Sequence, residues 1–335
     1  MPTTLRDVAR LAGVHPSIAS RVLNGDKSAS VREETRRRVT EAASELAYRP
    51  NGLARGLRTK LSGCITLVVP DLSNPAYAEI LRGAEREARK NQYFMLLASQ
   101  DSNPREKRFL RAALESRVDG VLLANAKVED HVIEELDRDR FPYVLVNRRS
   151  HKASRYVVGD DYGAAKMAVG HLLEQGHRRI GHLAGPETAD TAHERQRGYL
   201  DALREAEITP DPQLVVAGDY AVSAGRAGLH TLMHTSEPPT AVFAVSFQVA
   251  VGALEAAHEL KLEVPRDLSI VNIDEFELAA AIPPGLTTVR MPLAEMGEAA
   301  VRMLLGVVRG SEPGGQMVLP RLDLVRRNSV GPPLA

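Results

Sequence analysis

Apolar positions change their period along the chain, and the change divides it. Up to residue 47 they recur at helical spacing: Val8, Leu11 and Ala12, then Ile18, Val22 and Leu23, then Val39, Ala42, Ala43 and Leu46. Each stretch has its own punctuation. Thr4-Leu5-Arg6-Asp7 reads as a capping box, in which the hydroxyl takes a free backbone N–H and the acid reaches back. Gly13 breaks the first helix. Pro16 suits the first turn of the second, where its missing N–H leaves nothing unpaired. Asn24-Gly25 ends that helix, and Ser30-Val31-Arg32-Glu33 reads as a second capping box. Two short helices around a tight glycine turn, followed by a third, predict a helix-turn-helix. A plain three-helix bundle with a charged surface has the same pattern.

From Gly63 the pattern becomes continuous apolar runs, as in buried parallel strands. Strands are expected at Cys64–Val69, Phe94–Leu97, Val118–Leu123, Tyr143–Val146, Ile180–Leu183, Ala241–Ala244 and Leu268–Ile273, with helices between them, the first over Ala76–Lys90. Alternating strands and helices predict a doubly wound α/β chain with parallel sheets, long enough for two lobes, and ligands bind such sheets at the carboxyl ends of the strands.

Composition narrows the function. The 335 residues are 44% hydrophobic and 26% charged, with no apolar run long enough to span a membrane and no apolar leader at the N-terminus. One cysteine, Cys64, forms neither an internal disulfide nor a cysteine-based zinc cluster, so the cytoplasm is expected. Net charge is zero overall but uneven. Residues 1–60 hold twelve Lys and Arg against six acids, so a head of +6 precedes a body of −6. That asymmetry suits a head that meets phosphate and a body that does not. Enzymatic motifs are missing. His131, His171, His177, His182 and His193 have no metal-like spacing, and no nucleophile elbow or phosphate loop is present. Asp101, Asp160 and Asp161 read as structural strand-end acids. No cofactor, no metal and no catalytic residue is expected. A secreted sugar-binding protein would share the large fold, but the basic head argues against it.

The head also carries specific words. Thr4-Leu5-Arg6-Asp7-Val8-Ala9, Ala12-Gly13-Val14, Ser20-Arg21-Val22-Leu23-Asn24-Gly25 and Tyr48-Arg49-Pro50-Asn51 resemble the headpiece of the lac repressor (LacI/GalR) family of bacterial transcriptional regulators. The resemblance continues through Asn74-Pro75-Ala76-Tyr77, Gly176-His177-Arg178-Arg179-Ile180, Arg195 before Gly198-Tyr199, Val271-Asn272-Ile273-Asp274-Glu275 and Leu286-Thr287-Thr288-Val289, as far as about Asn328. It implies a headpiece at 1–47, a hinge at 48–60 and a two-lobed, periplasmic-binding-protein-like core at 61–335. The N-lobe would take about 61–160 plus 291–320, and the C-lobe about 161–290 plus 321–335. The chain would cross between lobes three times, with a ligand in the cleft.

Roles follow residue by residue. Pro16, Ser17 and Arg21 occupy base-reading positions, and Arg21 suits the task because its fork grips guanine O6 and N7 together. Thr4, Ser20, Asn24 and Ser30 occupy positions that meet phosphate. His15 stands where the family usually has Ser and can still cap the helix. The hinge would place Asn51, Ala54, Arg55 and Leu57 on the DNA, with Leu57 as a minor-groove wedge. Gly52 and Gly56 each weaken that helix by ~1 kcal/mol relative to Ala. In the cleft, Tyr77, Asn147, Arg148, Arg195 and Asp274 match effector-binding positions. Ser246 and Phe247 replace the usual Asn-Asp, trading polar recognition for a stacking face. The expectation is a repressor that binds palindromic double-stranded operator DNA as a homodimer under control of a small molecule, a sugar or related polar metabolite. No heptad tail follows Arg326-Arg327-Asn328, so a coiled-coil tetramer is not expected.

Overall fold

A computed structural model describes residues 3–23, 31–48, 61–99, 118–128 and 130–334. The chain divides into two compact units, Met1–Ser62 and Gly63–Ala335.

In the first unit, α1 (Leu5–Leu11), α2 (Pro16–Leu23) and α3 (Glu33–Glu45) pack around Val8, Ala9, Ala12, Ala19, Val22, Val39, Ala42 and Ala43. The cap on α1 is the expected box, with Thr4 and Asp7 bonded in both directions. Gly13 turns the chain at φ +63°, a conformation that glycine adopts without a Cβ clash. Two expectations need correction. Leu11 is 48% exposed, because the inward stripe runs through Val8, Ala9 and Ala12 and leaves Leu11 off it. Helix α3 starts at Glu33, with Arg32 at the cap and no side-chain bond there. Glu33 and Glu34 instead bring carboxylates to its first turn, where the free N–H groups favour negative charge. Ser30 lies outside the described residues.

The second unit holds two six-stranded sheets. The first runs β2 (Phe94–Ser99), β1 (Cys64–Val69), β3 (Gly120–Leu123), β4 (Tyr143–Val146), β5 (Tyr156–Gly159) and β11 (Gln316–Leu319), all parallel. The second runs β7 (Val215–Val216), β6 (Ile180–Leu183), β8 (Ala241–Ala244), β9 (Ser269–Ile273), β10 (Thr287–Arg290) and β12 (Asp323–Val325). Among the described residues, only its β10–β12 pair is antiparallel. Helices α4 (Pro75–Lys90) and α11 (Leu293–Val308) pack together in the first lobe, with α5 (His131–Arg138) also there. Helices α6 (Asp161–Glu174) and α7 (Asp190–Glu205) pair in the second lobe, as do α8 (Val222–Met233) and α9 (Phe247–Glu259); α10 (Glu277–Ala281) follows β9. The two-lobed, parallel, doubly wound architecture is as expected. Between sheets the chain crosses after Gly159, after Arg290 and between Leu319 and Asp323. Strands β5, β7, β10, β11 and β12 were not among those expected.

Candidate functional site

In the headpiece, α2 buries Ala19 and Val22, which turns Ser17 and Arg21 outward. His15 closes the start of this helix. Its Nδ1 accepts the Ser17 backbone N–H at 3.3 Å and lies 2.8 Å from Ser17 Oγ. An accepting Nδ1 puts the ring proton on Nε2, so His15 does the work of the usual capping hydroxyl. Pro16 occupies the first helical position. Thr4 is exposed, but its hydroxyl donates to Asp7 Oδ2 at 2.6 Å. Those bonds from Thr4 hold the Asp7 carboxyl below its ordinary range, with Arg10 adding to the effect. Ser20 is half-buried beside Arg21. Asn24, Ser30, Asn51, Ala54, Arg55 and Leu57 lie outside the described residues.

In the large unit, the carboxyl ends of both sheets face one cleft. Each strand end hands it residues: β1 gives Asp71, Asn74 and Tyr77, β4 gives Asn147 and Arg148, β8 gives Ser246, and β9 gives Asp274. Asn147 and Asp274 both turn the chain through the left-handed region, at φ 56° and 78°. Asn and Asp tolerate that conformation better than other non-glycine residues. The cleft has an outer chamber of about 370 Å³, walled by Asn74, Tyr77, Asn125, Lys127, Arg148, Thr188, Asp219 and Tyr220 among others. Adjoining it, with Asn74, Tyr77, Arg148 and Tyr220 common to both, is a pit of about 10 Å³ also lined by Asn147, Thr191, Arg195, Ser246 and Asp274.

Arg195 is the fixed point of the pit. It is 3% exposed, donates through Nε to Asp161 at 2.7 Å and through Nη1 to the Val245 carbonyl at 2.6 Å, and its Nη1 lies 3.7 Å from Asp274. Burial works against its charge, but the Asp161 and Asp274 carboxylates overcome that and hold it firmly protonated. Burial pushes Asp274 above the usual carboxylate range, with Arg195 opposing. Asp190, at the start of α7, is pushed up to about 6 by burial, against the pull of Arg148 and the Arg149 backbone N–H. Among the described residues, three buried polar atoms of the pit have no hydrogen-bond partner: Asn147 Oδ1, Ser246 Oγ and Asp274 Oδ1. A buried polar atom left this way costs roughly 1–3 kcal/mol, so the arrangement suits a hydroxyl-bearing guest that satisfies them.

Six of the seven cleft residues read from sequence line this pit or chamber: Tyr77, Asn147, Arg148, Arg195, Ser246 and Asp274. Phe247 lies apart. It is 5% exposed, its ring meets Phe276 edge-on at 5.3 Å, and it belongs to the core of the second lobe. Thr191, Tyr220 and the Asp161 partner of Arg195 were missed as site residues. Asp161 follows the unexpected strand β5, and Tyr220 follows β7, whose two residues are too short to show a period. Among the described residues, no cluster of His, Cys, Asp and Glu could hold a metal, and no helix is long and apolar enough to cross a membrane.

Comparison with known proteins covers both units. A family model described as "Bacterial regulatory proteins, lacI family" matches residues 4–51, and one described as "Periplasmic binding protein-like domain" matches residues 169–330. The HTH-type transcriptional repressor CytR of Escherichia coli (strain K12) is 37% identical over 329 residues, 97% of this chain and 96% of that protein. The crystal structure of the lac repressor dimer bound to operator and the anti-inducer ONPF has a TM-score of 0.87 at 27% identity, covering 99% of this chain and 100% of that one. The transcriptional regulator CelR in complex with cellobiose has a TM-score of 0.77 at 31% identity, covering 98% and 99%.

Proposed function

Because the chain belongs to the lacI family of bacterial regulatory proteins, we propose that it binds a palindromic operator as a homodimer, under control of a small polar molecule in its cleft. It is a DNA-binding transcriptional regulator and not an enzyme. In this reading it is a cytoplasmic repressor. Its DNA contacts come from Ser17 and Arg21 of α2, from the phosphate-facing Thr4, Ser20, Asn24 and Ser30, and from the hinge. Two headpieces read two half-sites, so operator symmetry mirrors protein symmetry.

The observation that carries the control by a small molecule is the pit. Buried arginine and aspartate side chains flank three polar atoms that lack partners among the described residues, at the carboxyl ends of two mostly parallel sheets. Donors and acceptors so arranged suit a polyhydroxylated ligand, a sugar or related metabolite. The related CelR structure holds cellobiose, which supports the class.

Selection of duplexes from a random pool by the full-length protein, followed by titration at several salt concentrations, tests the DNA half. The expected result is a palindromic consensus, with affinity that falls steeply as salt rises. Arg21→Ala should lose ~1–3 kcal/mol of discrimination per half-site while keeping non-specific binding. Equal affinity of the wild type for selected and scrambled duplexes would refute the proposal.

A further inference from the structure

The floor of the cleft is occupied by the chain itself. Arg148 leaves the first lobe at the end of β4, and its guanidinium lies between groups of both lobes. One nitrogen donates to Thr191 Oγ1 at 3.2 Å and to the Asn147 carbonyl at 2.7 Å, and another donates to the Tyr77 hydroxyl at 2.8 Å. The guanidinium carbon stands 5.8 Å from the centre of the Tyr220 ring, and the residue is 6% exposed. Tyr220 in turn shares a 2.8 Å bond with Thr191. A planar cation bonded at its edge and set over an aromatic face is placed as a bound ligand would be.

Two further features accompany this arrangement. The pit that Arg148 helps to line measures about 10 Å³, room for a single water, and the chamber it also lines about 370 Å³. The lobes also touch at the rim. Val128 N–H donates to the Thr188 carbonyl at 3.1 Å, and Gln248 Nε2 reaches the Ser73 carbonyl at 3.5 Å. Arg148 is the buried member of this set of contacts, and it lines both the chamber and the pit that holds Arg195 and Asp274.

We propose that Arg148 is a built-in occupant of the effector site, whose guanidinium bridges the lobes and holds them closed without effector, so that an effector reaching Arg195 and Asp274 must displace it. The second clause rests on the reading of the cleft given above; the first stands without it. A displacing ligand has to replace what Arg148 supplies. It must offer hydrogen-bond donors at its edge to the Tyr77 and Thr191 hydroxyls, and a face or a cation to Tyr220. Arg148 is thus a specificity-determining residue as well as a latch.

The test needs no effector. Spin labels at Leu72→Cys and Glu187→Cys, exposed residues on opposite lobes of the cleft, are placed in the full-length Cys64→Ser protein and their separation is read by double electron–electron resonance. With Arg148 intact, the distribution should be short and narrow with nothing added. Arg148→Ala should lengthen and broaden it. So should Arg148→Lys, because a point charge cannot bridge two hydroxyls and lie flat on a ring at once. Millimolar methylguanidinium should restore the short distance in Arg148→Ala and leave the parent unchanged. Tyr77→Phe combined with Thr191→Val removes the acceptors but keeps the arginine, and should lengthen the distance too; it decides the matter if Arg148→Ala does not fold. A long distance with Arg148 intact, an unchanged distance in folded Arg148→Ala, or lengthening that methylguanidinium fails to reverse would each overturn the proposal. Failure here leaves operator selection untouched, so the two readings fall separately.

Discussion

Arg195 has two carboxylates within reach and gives its Nε to the one farther from the pit surface, Asp161. Asp274 is left with one oxygen unpartnered and a carboxyl raised by burial, which makes it the acceptor in search of a donor. Arg195→Ala should therefore leave operator binding intact without effector and abolish the response to it, as measured by DNA titration with and without a cleft ligand. An unchanged response at the same concentration would place Arg195 outside the grip. Asp190 adds a pH dependence. Its carboxyl sits at about 6 in the folded protein, above its ordinary value, so it stabilises by holding a proton. That contribution is complete below about 4 and is lost as pH rises through about 6. The melting-temperature advantage of Asp190→Asn over the parent should therefore grow from pH 4 to pH 7, and a difference independent of pH would contradict it. Much of this site was legible. Tyr77, Asn147, Arg148, Ser246 and Asp274 follow strand ends, and a strand end announces itself by an apolar run. Thr191 lies inside α7 and Tyr220 follows the two-residue β7, so neither carries such a flag.

At the scale of elements, helix pairs meet through glycines. A Cβ on Gly83 of α4 would stand 1.9 Å from the Ala294 carbonyl oxygen, and one on Gly297 of α11 would stand 2.1 Å from that of Ile80. The backbones approach too closely for any side chain. Gly83→Ala should destabilise the large unit by roughly 1–3 kcal/mol or more, as overpacking does, in a urea titration of the full chain. A midpoint equal to that of the parent would show that the pair can slide apart at no cost. In the headpiece, Thr4→Ala removes the cap of α1 and should cost about 1 kcal/mol. Sequence reading found most of the elements that are long or wholly apolar, though not the four-residue β5. It passed over β11, whose residues are mostly exposed, and β12, which has three residues and lies antiparallel at an edge. It placed a cap at Ser30 because the four-residue word was right, whereas two glutamates serve the start of α3.

For the whole molecule, charge and fold agree on a division of labour. The basic head meets a polyanion, and the body offers a polar cleft closed by its own arginine. Control requires that the cleft and the DNA site share free energy, and binding linkage makes that sharing reciprocal. A ligand with equal affinity for both lobe arrangements shifts nothing. The most direct measurement takes any compound that calorimetry shows to bind the wild type but not Arg195→Ala, and titrates the selected operator with and without it at fixed salt. The operator Kd should change by about 5- to 150-fold, with the compound's own Kd changing by the same factor when operator is present. A compound held in the cleft that leaves the operator Kd unchanged would contradict it.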